Sequence, residues 1–342
     1  MKKNIKELTL QELKVVLASW KEPAFRAGQI FAWIYHKSVC DFAKMSNLPG
    51  GLKVRLNEEF SFFSLELAAA QESTDGTKKL LFKLEDSKFI EAVSIPTEKR
   101  LTGCISSQAG CKFACVFCAS GLLGFKRNLS SAEILDQVLY LKNNSARPLT
   151  HIVFMGTGEA LDNYDNVLRA IRIMNSDYAF NIGARRITIS TCGIIPGIKK
   201  LALEGLQVEL SVSLHAADDN IRDKLMPVNK KYPLKDLFTT LRQYVEKTNR
   251  QVTFEYILAK GINSDLPSAR KLCKIVQGLE CKINLIPINP QKEIGLEPPD
   301  KSDILFFRDA LIKSGVLVTL RKPRGQDIEA ACGQLRLRYE KS

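Results

Sequence analysis

No stretch of the chain approaches the roughly 18 consecutive apolar residues that a membrane-crossing helix needs, so no transmembrane helix is expected. The first residues, MKKNIKELTLQELKVV, carry two early lysines but no apolar core behind them, so they do not read as a secretion signal. Low-complexity segments and repeats of 20–50 residues are also missing. These absences point to a cytoplasmic protein that works away from the membrane. The nine cysteines are an odd number, which argues against a disulfide framework in that compartment. Acidic residues are short: 37 Asp and Glu face 50 Lys and Arg, a formal charge of +13. That excess suggests a polyanionic partner, nucleic acid first, although a basic chain that is merely soluble has the same charge. Apolar and charged fractions of 45% and 25% exclude disorder. At 342 residues the chain suits about two domains and can bury a core without staples.

The first 60 residues read as a small helical domain. Thr9-x-x-Glu12 is a capping box, and Leu10, Leu13, Val16, Leu17 and Trp20 follow helical spacing. Phe25, Ile30, Phe31 and Ile34 suggest a second helix, and Leu48-Pro49-Gly50-Gly51 reads as a break. Such a basic module suits RNA binding, and equally a packing subdomain. Residues 61–100 read as a short strand-rich linker, with a hairpin signal at Asp75-Gly76 and strands at 80–84 and 89–95. From 101 to 321, strands starting at Leu101, His151, Arg186, Val208, Val252, Lys282 and Val316 alternate with helices at 130–142, 165–174, 234–246, 268–277 and 302–314. This α/β pattern predicts a parallel sheet in a partial (β/α)6-type barrel, whose sites lie at the C-terminal ends of the strands. A short segment, 322–342, follows.

Cys111, Cys115 and Cys118 stand as C-x3-C-x2-C in the loop after the first barrel strand. Thiolates so spaced select zinc or an iron–sulfur cluster. Structural zinc wants four ligands, and Cys104 is available as the fourth. Three cysteines on a [4Fe–4S] cluster leave one iron open for a reactive ligand. The triad, with Phe117 before its last cysteine, resembles the radical S-adenosylmethionine (SAM) enzymes. That resemblance implies a partial barrel, and a cluster that cleaves SAM to a 5′-deoxyadenosyl radical. Polar groups recur where the strands end: Gly158 and Glu159, Ser190, Ser213-Leu214-His215 and Asn289.

Near the C-terminus, Cys332 sits between Ala331 and Gly333, after the basic run Arg321-Lys322-Pro323-Arg324-Gly325. Small flanking residues leave room at the sulfur, and nearby cations favour a thiolate. With Ser73-Thr-Asp-Gly-Thr77, Cys104-Ile-Ser-Ser-Gln-Ala-Gly-Cys111, Arg185-Arg-Ile-Thr-Ile-Ser-Thr191 and Asp327-Ile-Glu-Ala-Ala-Cys-Gly-Gln-Leu335, the chain resembles the RlmN/Cfr family of radical SAM RNA methyltransferases nearly end to end. The resemblance implies roles at matching positions. Cys111, Cys115 and Cys118 would hold one [4Fe–4S] cluster, and Cys332 would carry the methyl group as S-methylcysteine. Cys104 would resolve the covalent enzyme–RNA adduct and end in a disulfide with Cys332, and Glu91 would accept the proton. Gly158, Glu159, Ser190, Ser213, Leu214, His215 and Asn289 would contact SAM, of which two are used per methylation. Thr157 and Ala160 depart from the family's Gly-Met-Gly-Glu-Pro loop. A lone strand glutamate such as Glu91 ordinarily lies on a solvated face, and Cys40, Cys192, Cys273 and Cys281 read as packing residues.

The family implies C2 methylation of an adenosine in 23S rRNA and in tRNA (the RlmN branch), or C8 methylation of the rRNA adenosine with antibiotic resistance (the Cfr branch). Arg321–Gly325 and Phe125-Lys-Arg-Asn128 lean to the first, and Gly158-Glu-Ala160 and Ser190–Pro196 to the second. The expected partners are 23S rRNA, tRNA and an electron donor such as flavodoxin or ferredoxin, with no membrane, for a monomer. Lys126, Arg127, Lys230, Lys231, Arg321, Lys322 and Arg324 are candidate phosphate contacts. A zinc-stabilised RNA-binding protein without catalysis is the rival from another class.

Overall fold

The computed structural model describes residues 2–63, 65–122, 124–288, 295–321, 324–325, 327–328 and 335–336. Thr9 opens helix α1 (Leu10–Ser19) with the expected capping box: Glu12 N–H donates to the Thr9 hydroxyl, and Thr9 N–H donates to the Glu12 carboxylate at 2.7 Å. Helix α2 (Phe25–Phe31) runs on into a wider π-helical turn at Ala32–His36. The Leu48–Gly51 stretch is the start of helix α3 (Gly50–Glu59) rather than a break. Pro49 supplies no backbone N–H there, which a helix start does not need. Leu13, Leu17, Ile30, Phe31, Tyr35, Leu52 and Leu56 are fully or nearly fully buried among these helices.

Next come three antiparallel strands, β1 (Glu66–Glu72), β2 (Lys78–Lys83) and β3 (Phe89–Pro96). Gly76, at φ +80°, turns the chain between β1 and β2 as the Asp-Gly pair signals. Seven parallel strands then alternate with helices: β4 (Leu101–Cys104), α4 (Ser131–Asn143), β5 (Leu149–Phe154), α5 (Tyr164–Asn175) and β6 (Ile187–Thr191). They continue as α6 (Ile195–Leu201), β7 (Glu209–Ser213), α7 (Asp219–Leu225), α8 (Leu234–Thr248), β8 (Val252–Leu258), α9 (Leu266–Val276), β9 (Cys281–Pro287), α10 (Lys301–Lys313) and β10 (Leu317–Leu320). The partial barrel is therefore six βα crossovers closed by one further strand.

All ten strands lie in one sheet in chain order, β1 to β10, and β3 pairs with β4 in the register Val93 to Cys104. The strand-rich stretch before the barrel thus continues its sheet. Every crossover steps the same way, and with right-handed crossovers that places the helices on one face. The strand alternation buries Ile152, Phe154, Ile187, Ile189, Leu210, Val212, Phe254, Ile283 and Leu285. Facing helices bury Ile134, Leu135 and Val138 of α4 and Leu237 and Leu241 of α8.

Polar bonds fasten the N-terminal helices to the barrel. Lys6 forms a buried ion pair with Asp136 of α4 and also donates to the Phe63 carbonyl. Arg169 of α5 reaches the Glu12 carboxylate, and Lys142 donates to the Tyr35 carbonyl at 2.6 Å. Burial pushes the Asp136 carboxyl up to about 6 despite the adjacent Lys6 ammonium. Removing one partner of such a pair strands a buried charge. Lys6→Met should therefore cost about 3–5 kcal/mol in denaturant unfolding, and Lys6→Met/Asp136→Leu should recover most of it. A silent single variant would show that the pair does not hold the two parts together.

Candidate active site

The C-terminal ends of the strands open on a cavity of about 330 Å³. Its walls include Phe154 of β5, Thr191 of β6, Ser213 of β7, Ile257 of β8 and Pro287 of β9. In a flat sheet β5 and β9 would lie about 19 Å apart, so sharing one cavity requires the sheet to curve around it. Cys111, Cys115, Cys118, Gly158, Glu159, Ser190, Ser213 and His215, all singled out in the sequence, line this one space. Leu214 does not: its side chain is fully buried beside it. Asn289 and Cys332 lie outside the described residues.

The cysteine loop is shaped by backbone crowding. Gly110 has φ +86°, and a Cβ there would stand 1.8 Å from the Gly124 carbonyl oxygen, so only glycine lets the chain cross itself. Ala114, at φ +49°, reverses the backbone between the first two cysteines. Cys118 N–H donates to the Cys115 carbonyl at 3.0 Å, and Val116 N–H donates to Leu225 at the end of α7 at 3.0 Å.

The loop after β5 is stitched to the start of the cysteine loop. Ser107 and Gln108 N–H groups donate to the Thr157 carbonyl at 2.9 and 3.2 Å, and Gly156 N–H donates to the Ile105 carbonyl at 3.1 Å. Thr157 N–H donates to the Ser106 hydroxyl, and Glu159 N–H to the Gln108 side-chain carbonyl, both at 2.9 Å. A Cβ on Gly156 would meet Ile105 at 2.7 Å, and one on Gly158 would meet Gln108 at 2.5 Å. Both glycines are thus needed for loop packing. Thr157 and Ala160 are buried, and Thr157 enters this seam through its backbone, so the departures leave the seam intact.

Burial pushes the Cys111 thiol up to about 12 and the Cys115 thiol higher still. Their mutual charges and that of Glu159 act in the same direction. Thiolates so placed call for a cationic group. Among the described residues, no three His, Cys, Asp or Glu side chains converge on a single-ion site. The three thiols share the walls of one space, and three thiolates are a donor set that suits an iron–sulfur cluster.

Burial also raises the Glu159 carboxyl. Its oxygens accept the N–H groups of Leu161 at 3.0 Å and Cys192 at 2.7 Å, and the Thr191 and Cys192 side chains also bond to it. His215 sits at φ +56° with its ring edge-on to Phe117, centroids 4.6 Å apart. Ile257 N–H donates to His215 Nδ1 at 3.0 Å, which places the ring proton on Nε2. Burial, aided by the Arg222 charge, pushes the imidazole down to about 3.

The family scan and the relatives agree with this geometry. Residues 105–272 match the Radical SAM superfamily, and residues 3–61 match the ribosomal RNA large subunit methyltransferase N-terminal domain. A Clostridium novyi protein named as a probable dual-specificity RNA methyltransferase RlmN is 45% identical, covering 98% of both chains. A Geobacillus kaustophilus protein of the same name is also 45% identical, over 99% of this chain and 93% of its own. The crystal structure of a radical SAM methyltransferase from Sphaerobacter thermophilus superposes with a TM-score of 0.91 at 40% identity, covering 97% of this chain and 98% of that one. The chain belongs to the RlmN family of radical SAM RNA methyltransferases. Membership implies a [4Fe–4S] cluster and SAM. Cys111, Cys115 and Cys118 share the cavity wall with the strand-end residues Gly158, Glu159, Ser190, Ser213 and His215.

Four features of this RlmN-family site escape sequence reasoning. Arg222 of α7, with no exposed surface, donates to the carbonyls of Cys192 at 2.8 Å, Ser213 at 3.1 Å and Leu214 at 3.1 Å. It thereby pins the loops after β6 and β7. Glu255 of β8 puts a second carboxylate in the wall and accepts from Ser211 at 2.9 Å and Asn284 at 2.8 Å. Cys192 lines the cavity rather than only packing, while Cys40 is exposed. Arg127 is occupied by Glu133 (2.7 and 2.8 Å) and Asp86 (2.6 Å), which removes it from the candidate phosphate contacts. Glu255 stands mid-strand in β8, so no strand-end signal in the sequence marked it.

Cys104 and Glu91 lie on the neighbouring strands β4 and β3, both buried, and outside the cavity walls. Glu91 is not on a solvated face: Lys79 pairs with it at 3.1 Å, and Arg336 N–H donates to it at 2.6 Å.

The His215 geometry has a pH consequence. Its folded value lies below the ordinary 6.5, so between the two the unfolded chain binds the proton and the folded chain does not. Stability is lost as pH falls below 6.5, by about 2 kcal/mol at pH 5. Denaturant unfolding at pH 7.5 and 5 should show a slope shallower by that amount in His215→Gln. Equal slopes would place His215 in a different environment.

Proposed function

We propose that the chain methylates C2 of an adenosine in 23S rRNA and in tRNA through an S-methylated Cys332. The observation that carries this reading is the convergence of the three loop cysteines and five strand-end candidates on one cavity, whose wall also includes Arg321 and Arg324 from the segment leading to Cys332. The relatives' shared name, dual-specificity RNA methyltransferase, favours two RNA substrates and the C2 branch over C8. Bound cluster and two molecules of SAM supply the methyl group and a carbon radical, chemistry that an electron-poor ring carbon with no useful acidity requires.

The chain's own residues supply the rest. Cys332 would carry the methyl group as a thioether; once that group gave up one hydrogen atom to the SAM-derived radical, its carbon would bond to the adenine carbon and join enzyme to RNA, the odd electron returning to the cluster as the ring proton leaves. Glu91, oriented by Lys79, takes the proton lost from the adenine carbon. The Cys104 thiolate would attack the sulfur of Cys332 and break its bond to the methylene carbon, which keeps the electron pair and takes a proton as methylated RNA leaves, so that a Cys104–Cys332 disulfide remains for the next reduction. His215, neutral and fixed by Ile257, presents Nε2–H as a donor toward SAM, beside Gly158, Glu159, Ser190 and Ser213. The adenine must be splayed from its fold to reach this space. The helical domain 1–60 supports RNA binding: Lys37 lies 3.6 Å from the Trp33 ring centroid beside exposed Phe25 and Tyr178. Flavodoxin or ferredoxin delivers electrons, and the cytoplasmic enzyme acts as a monomer.

Cys104→Ala lacks the resolving thiol and should trap the covalent RNA adduct, seen as a shifted band that nuclease removes. Methylation that persists with no adduct would overturn the role of Cys104.

A further inference from the structure

The Ser73–Thr77 turn matches a sequence motif that the reaction leaves unused. In the structure it grips the far end of the chain. The Ser73 hydroxyl donates to Asp327 Oδ1, and Thr74 N–H donates to Asp327 Oδ2 at 2.9 Å. Gly325 N–H donates to Asp75 Oδ2 at 3.1 Å, and the Arg324 guanidinium stands 3.7 Å from the same oxygen. Asp75 is itself set by the turn, accepting Thr77 N–H at 2.9 Å. One strand over, Glu91 takes Arg336 N–H at 2.6 Å. These bonds join residues about 250 positions apart in sequence, and each ends on a carboxylate, the stronger kind of hydrogen bond.

Their spacing along the segment is informative. Cys332 follows Asp327 by five residues and precedes Arg336 by four. A fully extended chain spans about 3.6 Å per residue, so the thiol is leashed within about 18 Å of one anchor and 14 Å of the other. Both anchors belong to the same three strands, β1 to β3, that carry Glu91 and flank Cys104. Ordering a chain costs conformational entropy, and charge-assisted bonds at both ends offset part of it.

We propose that the Ser73–Thr77 turn is a docking clamp for the segment bearing Cys332, and that Ser73, Asp75 and Asp327 are positioning residues for its thiol. The proposal rests on Cys332 being the methyl-carrying residue. It assigns these residues to placing the sulfur, while RNA affinity is set elsewhere.

The test uses the reconstituted enzyme with an RNA transcript, comparing wild type with Asp327→Ala, Asp75→Asn, Ser73→Ala and Ser73→Thr. Asp327 is exposed, so its truncation leaves the core alone. Hydrogen exchange of peptides spanning 324–336 should accelerate about tenfold in Asp327→Ala and Asp75→Asn, with barrel peptides unchanged. Over the same variants kcat should fall about tenfold with the RNA KM within about twofold, and S-methylation of Cys332 in the purified protein should drop in parallel. Ser73→Thr, which keeps the hydroxyl, should behave as wild type, and Ser73→Ala as Asp327→Ala. Unchanged exchange would overturn the clamp. Faster exchange with unchanged kcat would overturn the positioning role. Full methylation by Cys332→Ala would overturn the reading beneath it, whatever the exchange shows.

Discussion

Two loop backbones touch where β4 and β5 end, and the site depends on that contact. The Ile105–Gln108 backbone meets Gly156–Glu159 so closely that a single Cβ at 156 or 158 would collide with it. Hydrogen bonds then cross the seam from both sides. The seam sets where the cysteine loop starts and where Glu159 sits, so the thiols and the carboxylate are placed by one constraint. Glu159 passes it on by accepting Cys192 N–H, and Arg222 extends it to the ends of β6 and β7. A chain of short polar contacts thus ties four strand ends around one cavity.

The strand order explains why such a cavity exists. A sheet that adds every strand on the same side has no point where its winding reverses, so its ligand space is the hollow it curves around. The antiparallel strands β1 to β3 extend the sheet beyond the barrel and put Glu91 on β3, the strand whose Val93 pairs with Cys104. The same meander holds Arg324, Gly325, Asp327 and Arg336. The molecule therefore has two working sides: strand ends that fit a cluster and SAM, and a meander that meets the C-terminal segment.

Features written in local spacing were legible in the sequence: the Thr9 capping box, the seven parallel strands, the Asp-Gly turn, the cysteine triad and most strand-end polar groups. Features made by long-range contact were not. Arg222 sits on α7, a helix of seven residues that is too short for a clear period, and its partners come from two other loops. Arg127 looked like a phosphate contact because its carboxylate partners, Asp86 and Glu133, are not recognisable as such until the chain folds. Leu48–Gly51 looked like a break because Pro and Gly mark both turns and helix starts. Glu91 looked solvated because its partner, Lys79, lies on the adjacent strand. The +13 charge pointed to a polyanion, and family membership made that polyanion RNA.

Nucleoside mass spectrometry of ribosomal and transfer RNA from cells lacking the gene tests the proposed C2 methylation of adenosine most directly. Loss of 2-methyladenosine from both RNAs, restored by the wild-type chain but not by Cys332→Ala, is the predicted result. Unchanged 2-methyladenosine, or loss of 8-methyladenosine in its place, would contradict it.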